Sequence, residues 1–177
     1  MASGRPDLTT RVRAFAKQAR ADFDAWEMLK SHEDVASCHA LMFLLMACEK
    51  LCKAHLYHEN QDVEDGIYET SHAVTSKHLN LIIERILKLK EPKGKTEQHR
   101  SISRDARKLS EEICYLSPAV AGDRELRPDN CEYPWRIREG VYCVPLHYVF
   151  PCEQMLKQPK YMNIIKLIKI SIDLLCE

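Results

Sequence analysis

Glycine is scarce in this sequence, which has 5 glycines in 177 residues. Long amphipathic runs take up most of the chain instead, and such runs predict helices. Apolar residues make up 45% of the sequence, which is enough for one domain with a proper core. The composition therefore predicts a single helical domain from about residue 7 to residue 176.

A net charge of either sign is also absent, because 26 lysines and arginines balance 26 aspartates and glutamates. This balance excludes a strong overall attraction to nucleic acid or to acidic lipid. The charges are nevertheless unevenly distributed. The connection from Glu59 to Glu69 is acidic, whereas the stretch from Arg85 to Lys108 has nine basic and three acidic residues.

The uncharged apolar run from Ala40 to Cys48 is nine residues long, whereas crossing a bilayer takes about 20. The first seven residues lack the apolar core of a secretion signal. Eight cysteines are enough for a disulfide scaffold, but three of them fall in one predicted helix, where free thiols act as small apolar residues. We therefore expect a protein of the reducing cytoplasm with no membrane partner.

Two motifs typical of metal sites are missing, since neither Cys-x-x-Cys nor His-Glu-x-x-His occurs. Cys48 and Cys52 do share one face of a helix, as do Cys52 and His55. The same spacing is also typical of side chains that pack together in a core. We expect no metal and no other cofactor.

The stretch from Val35 to His58 is the predicted centre of the fold. Its middle is apolar on every side, and a helix of that kind should be buried on every side. We expect Asp7 or Thr10 to cap the first helix and Ser71 to cap the third. Four further helices, each with one apolar stripe, are predicted over residues 7–30, 72–90, 96–116 and 158–176.

A small β-hairpin is predicted before the last helix. Residues 132–137 and 141–148 are rich in β-branched and aromatic residues, and Gly140 suits a left-handed position in the loop between them. Pro134 and Pro145 cannot donate to a ladder, so the hairpin should be small and lie at an edge. The predicted fold class is thus all-α, an up-and-down bundle of about five helices with this hairpin before the last.

Six segments along the chain carry a recognisable pattern. They are Ala-Arg-Ala-Asp-Phe at 19–23, Cys-His-Ala-Leu-Met-Phe at 38–43, Ala-Cys-Glu-Lys-Leu-Cys-Lys-Ala at 47–54, Lys-His-Leu-Asn-Leu-Ile at 77–82, Tyr-Pro-Trp at 133–135 and Pro-Leu-His-Tyr-Val-Phe at 145–150. In this order they resemble the HEPN family, the last two resembling one HEPN-like subgroup, and the similarity covers about residues 10 to 176. The order of the segments is more specific than any one of them.

The resemblance implies an up-and-down helical bundle that is commonly dimeric. Many family members are metal-independent ribonucleases, often toxins paired with nucleotidyltransferase antitoxins, and others are noncatalytic binding modules. The nucleases carry an arginine, then four to six residues, then a histidine, near the end of a late helix. Both groups must reach one phosphodiester, one to stabilise negative charge and one to handle the 2′-hydroxyl proton.

That pair is absent from this chain, because no arginine precedes a histidine at the required interval. Lysines do occur at the interval, at Lys50 with His55 and at Lys93 with His99. The first pair lies on the central helix, however, and the second straddles a helix boundary. The nuclease activity of the family therefore does not carry over to this chain residue by residue.

Arg100, Arg104 and Arg107 are spaced to lie on one face of the fourth helix, where forked guanidinium contacts can hold the phosphates of RNA or of a nucleotide. The alternative is an ordinary solvated face that pairs with the acidic connection. His99, one residue before this row, is the candidate catalytic residue if the chain is a divergent ribonuclease.

Lys50 and Lys53, with Glu49, interrupt a helix that is otherwise apolar. They are candidate ligand-binding residues in a pocket between helices. The alternative is a half-buried pairing that fixes the packing, with the lysine stems along apolar surface.

Four aromatic residues cluster in the predicted hairpin. They can stack a nucleic-acid base, or they can cover the end of the bundle or join a dimer partner. They are Tyr133, Trp135, Tyr142 and Tyr148.

The leading hypothesis from the sequence is a noncatalytic HEPN-like binding or interaction protein, homodimeric, which binds RNA or a nucleotide through its basic face. The alternative is a divergent metal-independent ribonuclease of toxin-antitoxin or defence type, with a nucleotidyltransferase as partner. A third possibility is a purely structural partner protein.

Overall fold

The computed structural model describes residues 8–60, 74–90, 96–116, 131 and 134–177. Helices dominate these residues, which confirms the all-α fold class. The predicted caps Asp7 and Ser71 and residues 61–69 of the acidic connection lie outside the described residues. The helices are α1 (Leu8–Leu29), α2 (Ser37–Glu59), α3 (Val74–Lys90), α4 (Thr96–Cys114), α5 (Pro151–Leu156) and α6 (Pro159–Cys176).

Helix α1 buries one stripe of residues at three- and four-residue steps, because that spacing returns to the same side of a helix. The stripe packs against α2, and the rings of Phe23 and Trp26 meet edge to face with centroids 5.2 Å apart. Its buried apolar residues are Val12, Ala16, Ala19, Phe23 and Trp26.

Helix α2 lies in the core, as its composition predicts, but one face of it is only half-buried. Leu44, Ala47 and Cys48 have no exposed surface. Met42 and Met46 lie on the other side and stay partly exposed, so the expectation of burial on every side is wrong for that face. The reason is that the described helices packed against α2 do not cover this side fully.

Helix α6 completes the core, since it packs against α1, α3 and α4, while α3 packs against α4. One continuous hydrophobic cluster takes buried residues from all six helices and from the hairpin. None of the described helices is both long enough and apolar enough to span a membrane.

Two short strands precede α5. Strand β1 (Trp135–Arg138) pairs antiparallel with β2 (Val141–Cys143), with Trp135 opposite Cys143. Gly140 between them has φ of 72°, the left-handed conformation that favours glycine. The second strand is shorter than its sequence predicts, because residues 145–147 form a 3-10 turn that begins at Pro145. A proline there has no N–H to continue the ladder.

Residues 153–156 belong to the short helix α5. Pro151 and Pro159 occupy the first turns of α5 and α6, where a missing N–H costs no helical hydrogen bond. The carboxylate of Glu153 accepts a hydrogen bond of 3.2 Å from the backbone N–H of Phe150, which fixes the start of α5.

Candidate functional site

His99 lines a cleft of about 290 Å³ between the end of α3, the first turns of α4 and the middle of α6. We refer to it as the His99 cleft. Lys90 of α3 and Lys166 of α6 also line it, so the basic side chains of three helices surround one opening. The remaining lining residues are the amides Gln98 and Asn163 and the apolar side chains Leu87, Ile102, Leu167 and Ile170.

The charge of the His99 cleft is not compensated by a nearby carboxylate of the described chain. Lys90 and Lys166 are both exposed, and no carboxyl group lines the cleft. Neither lysine forms an ion pair with another described residue. Two ammonium groups beside an apolar floor can hold an anion whose other part is flat and apolar.

The arginine row is exposed along its whole length, since Arg100, Arg104 and Arg107 all lie on the solvent side of α4. Arg107 Nε donates to Glu111 Oε1 at 3.2 Å, with 71% of the arginine side chain still exposed. A helix rotates by about 100° per residue, and this rotation places the three arginines roughly opposite the apolar stripe of α4. They do not line the His99 cleft, so the structure does not bring them together with His99.

A second, polar cleft lies beside the row. It has a volume of about 410 Å³ between α3 and α4. Its lining residues are Ser76, Lys77, Asn80, Arg107, Glu111 and Tyr115. Arg107 is therefore one member of the row that borders a concave surface.

The start of the basic stretch and the start of the acidic connection meet in a salt bridge between Arg85 and Glu59. This pair matches the interpretation of the basic stretch as a solvated face. The rest of the acidic connection lies outside the described residues.

Lys50 and Lys53 both have a carboxylate partner. Lys50 Nζ lies 2.7 Å from Asp22 Oδ2 of α1, and Asp22 is 5% exposed. Lys53 Nζ lies 2.6 Å from Glu49 Oε1, and the lysine is buried. A ligand at either lysine has to compete with an existing ion pair, so this geometry matches the packing interpretation of the two residues.

The two lysine–histidine pairs noted in the sequence do not form a described site. Lys50 binds α1 through Asp22, whereas His55 Nε2 lies 2.8 Å from Ser171 Oγ of α6. The two side chains thus contact different helices. Lys93, the partner of His99 by spacing, lies outside the described residues.

The Ser171–His55 contact has the composition of a nucleophile and a base, but it is enclosed. Ser171 has no exposed surface. Burial, with smaller contributions from the charges of Arg85 and His58, lowers the pKa of His55 to about 4. A neutral imidazole on a hydroxyl without access to solvent joins α2 to α6 and has no route to a substrate.

All eight cysteines are free thiols. Burial raises the pKa of Cys48 to about 12 and raises the pKa of Cys52 as well. Thiols that stay protonated are poor nucleophiles and poor metal ligands. Within the described chain, no group of three or more histidine, cysteine, aspartate or glutamate residues is placed to hold a metal ion.

The hairpin aromatics divide into an inner and an outer group. Trp135 is buried and contacts Tyr148 and Phe150, with ring centroids 5.4 and 5.9 Å away, edge to face. Tyr142 points outward and is 65% exposed. Tyr133 lies outside the described residues. Trp135 and Tyr148 are therefore packing residues, and Tyr142 is available for contact with another molecule.

Sequence reasoning found His99 but missed its neighbours in the cleft. Lys90 was one of many basic residues in its stretch, with nothing to distinguish it. Lys166 is one of three lysines on a mostly apolar helix, and nothing in the sequence distinguishes it from the other two. Only the packing of α3, α4 and α6 brings the three residues to one opening. In comparisons with known proteins, no protein-family model, no curated protein and no solved structure matches this chain.

Proposed function

We propose that this chain is a HEPN-like up-and-down helical bundle that binds RNA or a nucleotide without cleaving it. The observation that carries the proposal is the His99 cleft, in which Lys90, His99 and Lys166 surround an apolar floor. A nucleotide has the matching chemistry, with anionic phosphates at one end and a flat base at the other. Phosphate contacts supply most of the affinity, and the apolar floor accepts the base.

The arginine row supports the RNA form of the ligand over a single nucleotide. Arg100, Arg104 and Arg107 continue the positive charge along the exposed face of α4, outside the lining of the His99 cleft. A single strand that enters the His99 cleft can place neighbouring phosphates against this row. The guanidinium groups can then bind them in the forked geometry that suits phosphate.

The test is fluorescence anisotropy with a short labelled single-stranded RNA and with labelled ATP, each over a range of salt concentrations. The double variant Lys90→Ala/Lys166→Ala removes two phosphate contacts, and we expect roughly tenfold weaker binding at low salt. We also expect the slope of the logarithm of the RNA-binding constant against the logarithm of the salt concentration to become shallower by about 1.4, at about 0.7 for each lost phosphate contact.

A matched control is Arg13→Ala/Lys17→Ala, which removes the same charge from exposed positions on α1. It should leave binding nearly unchanged. Equal losses in both double variants would mean that only net charge matters, and the cleft would not be the binding site. Weaker RNA binding in Arg100→Ala/Arg104→Ala, with ATP binding unchanged, would assign the row to RNA.

The second candidate function is a divergent metal-independent ribonuclease. It is favoured by one observation, the presence of His99 in the lining of the same cleft as Lys90 and Lys166. An imidazole can move the 2′-hydroxyl proton while lysines stabilise the charged transition state. The assay is RNA cleavage in excess chelator, with wild-type protein and His99→Ala. Cleavage that depends on His99 supports the ribonuclease, and intact RNA at high protein excess supports the binding protein.

A homodimer is the proposed assembly, and the hairpin region is the surface that supports it. Residues 141–149 contain no lysine, arginine, aspartate or glutamate, so two copies can meet there without like-charge repulsion. Tyr142, Leu146 and Val149 are 65%, 57% and 63% exposed. Clustered exposed apolar residues of this kind are typical of protein interfaces.

The resemblance supports two further proposals, a nucleotidyltransferase as partner protein and a role in a toxin-antitoxin or defence module. A reducing cytoplasm suits the eight free cysteines, six of which are buried. Co-purification with a nucleotidyltransferase encoded beside this chain would support the pairing, and separate elution of the two purified proteins would contradict it.

A further inference from the structure

An apolar cleft of about 440 Å³ opens between the end of α1, the link to α2, the first turns of α2, and α5 with the start of α6. We refer to it as the Trp26 cleft. It shares no lining residue with the His99 cleft, so it does not depend on the ligand proposed there. Its volume lies in the range of about 300 to 1,000 Å³ that is typical of small-molecule sites.

The wall of the Trp26 cleft is mainly apolar and partly open to water. Leu29, Val35, Leu156 and Met162 are each half-buried, so an apolar ligand that covers them removes further apolar surface from water. The apolar lining residues are Trp26, Leu29, Val35, Ala40, Leu41, Leu156 and Met162.

The rim of the Trp26 cleft carries two lysines, Lys30 and Lys157, and one carboxylate, Glu153. Glu153 keeps its negative charge, and its Oε1 accepts hydrogen bonds from Ser37 Oγ at 2.7 Å and from the backbone N–H of Phe150 at 3.2 Å. Lys157 is exposed and forms no ion pair with another described residue. Its ammonium group is therefore available to an anion at this opening.

Lys30 adds a second ammonium group on the α1 side of the rim. Its Nζ lies 3.9 Å from the centroid of the Trp26 ring and 3.6 Å from Glu27 Oε1. The ion pair with Glu27 is exposed on both sides and therefore weak. To turn toward an anion in the cleft, Lys30 gives up this weak ion pair and its contact with the Trp26 ring.

We propose that the Trp26 cleft binds a small amphiphilic carboxylate, a free acid with an apolar chain. The chain lies against Leu29, Leu41 and Met162, and the carboxylate lies between Lys157 and Lys30. An apolar wall sets the affinity and the lysines set the orientation. A cationic amphiphile of the same length should bind more weakly, since its head group would meet two lysines against the one carboxylate of Glu153.

The experiment is isothermal titration calorimetry of the full chain with hexanoate, octanoate and decanoate, below their micelle concentrations. Each added methylene that enters the cleft should tighten binding by roughly fourfold. Decyltrimethylammonium is the matched probe of opposite charge, and it should bind at least tenfold more weakly than decanoate. These two comparisons use the wild-type protein and do not depend on any variant.

The Lys157→Glu variant tests the head-group contact, and we expect roughly tenfold weaker decanoate binding from the reversed charge. The control is Lys88→Glu, the same change at an exposed position on α3 outside the cleft, which should leave binding unchanged. Circular dichroism of both variants checks that they fold.

Three results would overturn the inference. One is no binding of decanoate at millimolar concentration. Another is equal binding of the anionic and cationic amphiphiles, which indicates nonspecific adsorption. The third is unchanged decanoate binding in Lys157→Glu. If a second copy of the chain covers the cleft instead, decanoate will not bind and Lys157→Glu will change the molecular mass in solution.

Discussion

His55 Nε2 lies 2.8 Å from Ser171 Oγ, and this hydrogen bond joins α2 to α6 across 116 residues of sequence. The serine is completely buried, and burial keeps the pKa of the histidine at about 4. The pair therefore contributes to stability only while the imidazole is neutral. This dependence leads to a first prediction, on the effect of pH.

The free energy of unfolding should fall as the pH is lowered from about 6.5 toward 4. The pKa of His55 is lower in the folded protein than in the unfolded chain, so the unfolded chain binds the extra proton in this range. The pKa of His55 is lowered from 6.5 to about 4. At about 1.4 kcal/mol per pKa unit, this shift lowers the free energy of unfolding by as much as roughly 3 kcal/mol. Urea denaturation at a series of pH values measures it.

The control for this experiment is His55→Gln, which removes the titrating group but keeps a polar side chain beside Ser171. Its stability should change much less between pH 6.5 and 4. Burial also lowers the pKa of His78, so some dependence will remain. An identical pH dependence in the variant and the wild type would exclude His55 as the source.

A second prediction concerns the ion pair between Lys50 and Asp22. Lys50→Ala should destabilise the protein by about 2 to 3 kcal/mol, because the buried carboxylate of Asp22 would lose its cationic partner. The hydrogen bond of 3.0 Å that Gln18 Nε2 donates to Asp22 Oδ1 would remain. Asp22→Ala should cost less, about 1 to 2 kcal/mol, because the lysine is one-quarter exposed and can reach water.

A double-mutant cycle on these two residues separates packing from ligand binding. The double variant should be more stable than the sum of the single changes predicts, since no unpaired charge remains. Lys50→Met is the control for the loss of the lysine stem. If both single changes leave stability unaffected, the pair does not fix the packing, and the role of Lys50 in ligand binding regains support.

A third prediction compares two faces of α2. Leu44→Ala should cost about 3 kcal/mol, because the side chain is fully buried and its removal leaves a cavity. Met46→Ala, on the half-buried face, should cost about 1 kcal/mol. Thermal and urea denaturation of the two variants measure the difference, and equal losses would show that the half-buried face is covered in solution.

A fourth prediction concerns the hairpin surface. Light scattering after size exclusion should give the mass of a dimer for the wild type, and Tyr142→Lys/Leu146→Glu should shift it toward the monomer. These positions are exposed, so the change should not disturb the core. Leu89→Glu, at a residue of α3 that is 71% exposed, is the matched control and should remain dimeric. A wild type that is monomeric at all concentrations would rule out the dimer.

Helical structure was predictable along most of the chain because it depends on local spacing. The buried stripe of α1 and the start of α6 at Pro159 follow from residues within a few positions of each other. The second strand of the hairpin is shorter than predicted, because a 3-10 turn begins at Pro145 and ends the strand. The half-buried face of α2 was missed, because apolar composition does not report which neighbours cover a helix.

The candidate sites were less predictable than the helices. The arginine row follows from helical spacing, and its position on α4 is the expected outer face. Lys90 and Lys166 joined His99 only through the packing of three helices. The partner of Lys50 is on α1, and no spacing rule connects residues so far apart in the chain.

The amino-acid order alone determined where helices form and which stripe of α1 and α6 avoids water, since both depend on contacts within one or two helical turns. The tertiary structure decided which charged groups are paired, which histidine lies beside the buried Ser171, and which basic side chains surround the His99 cleft. Those outcomes depend on distances between helices, and such distances result from the packing of the whole core and not from any single segment.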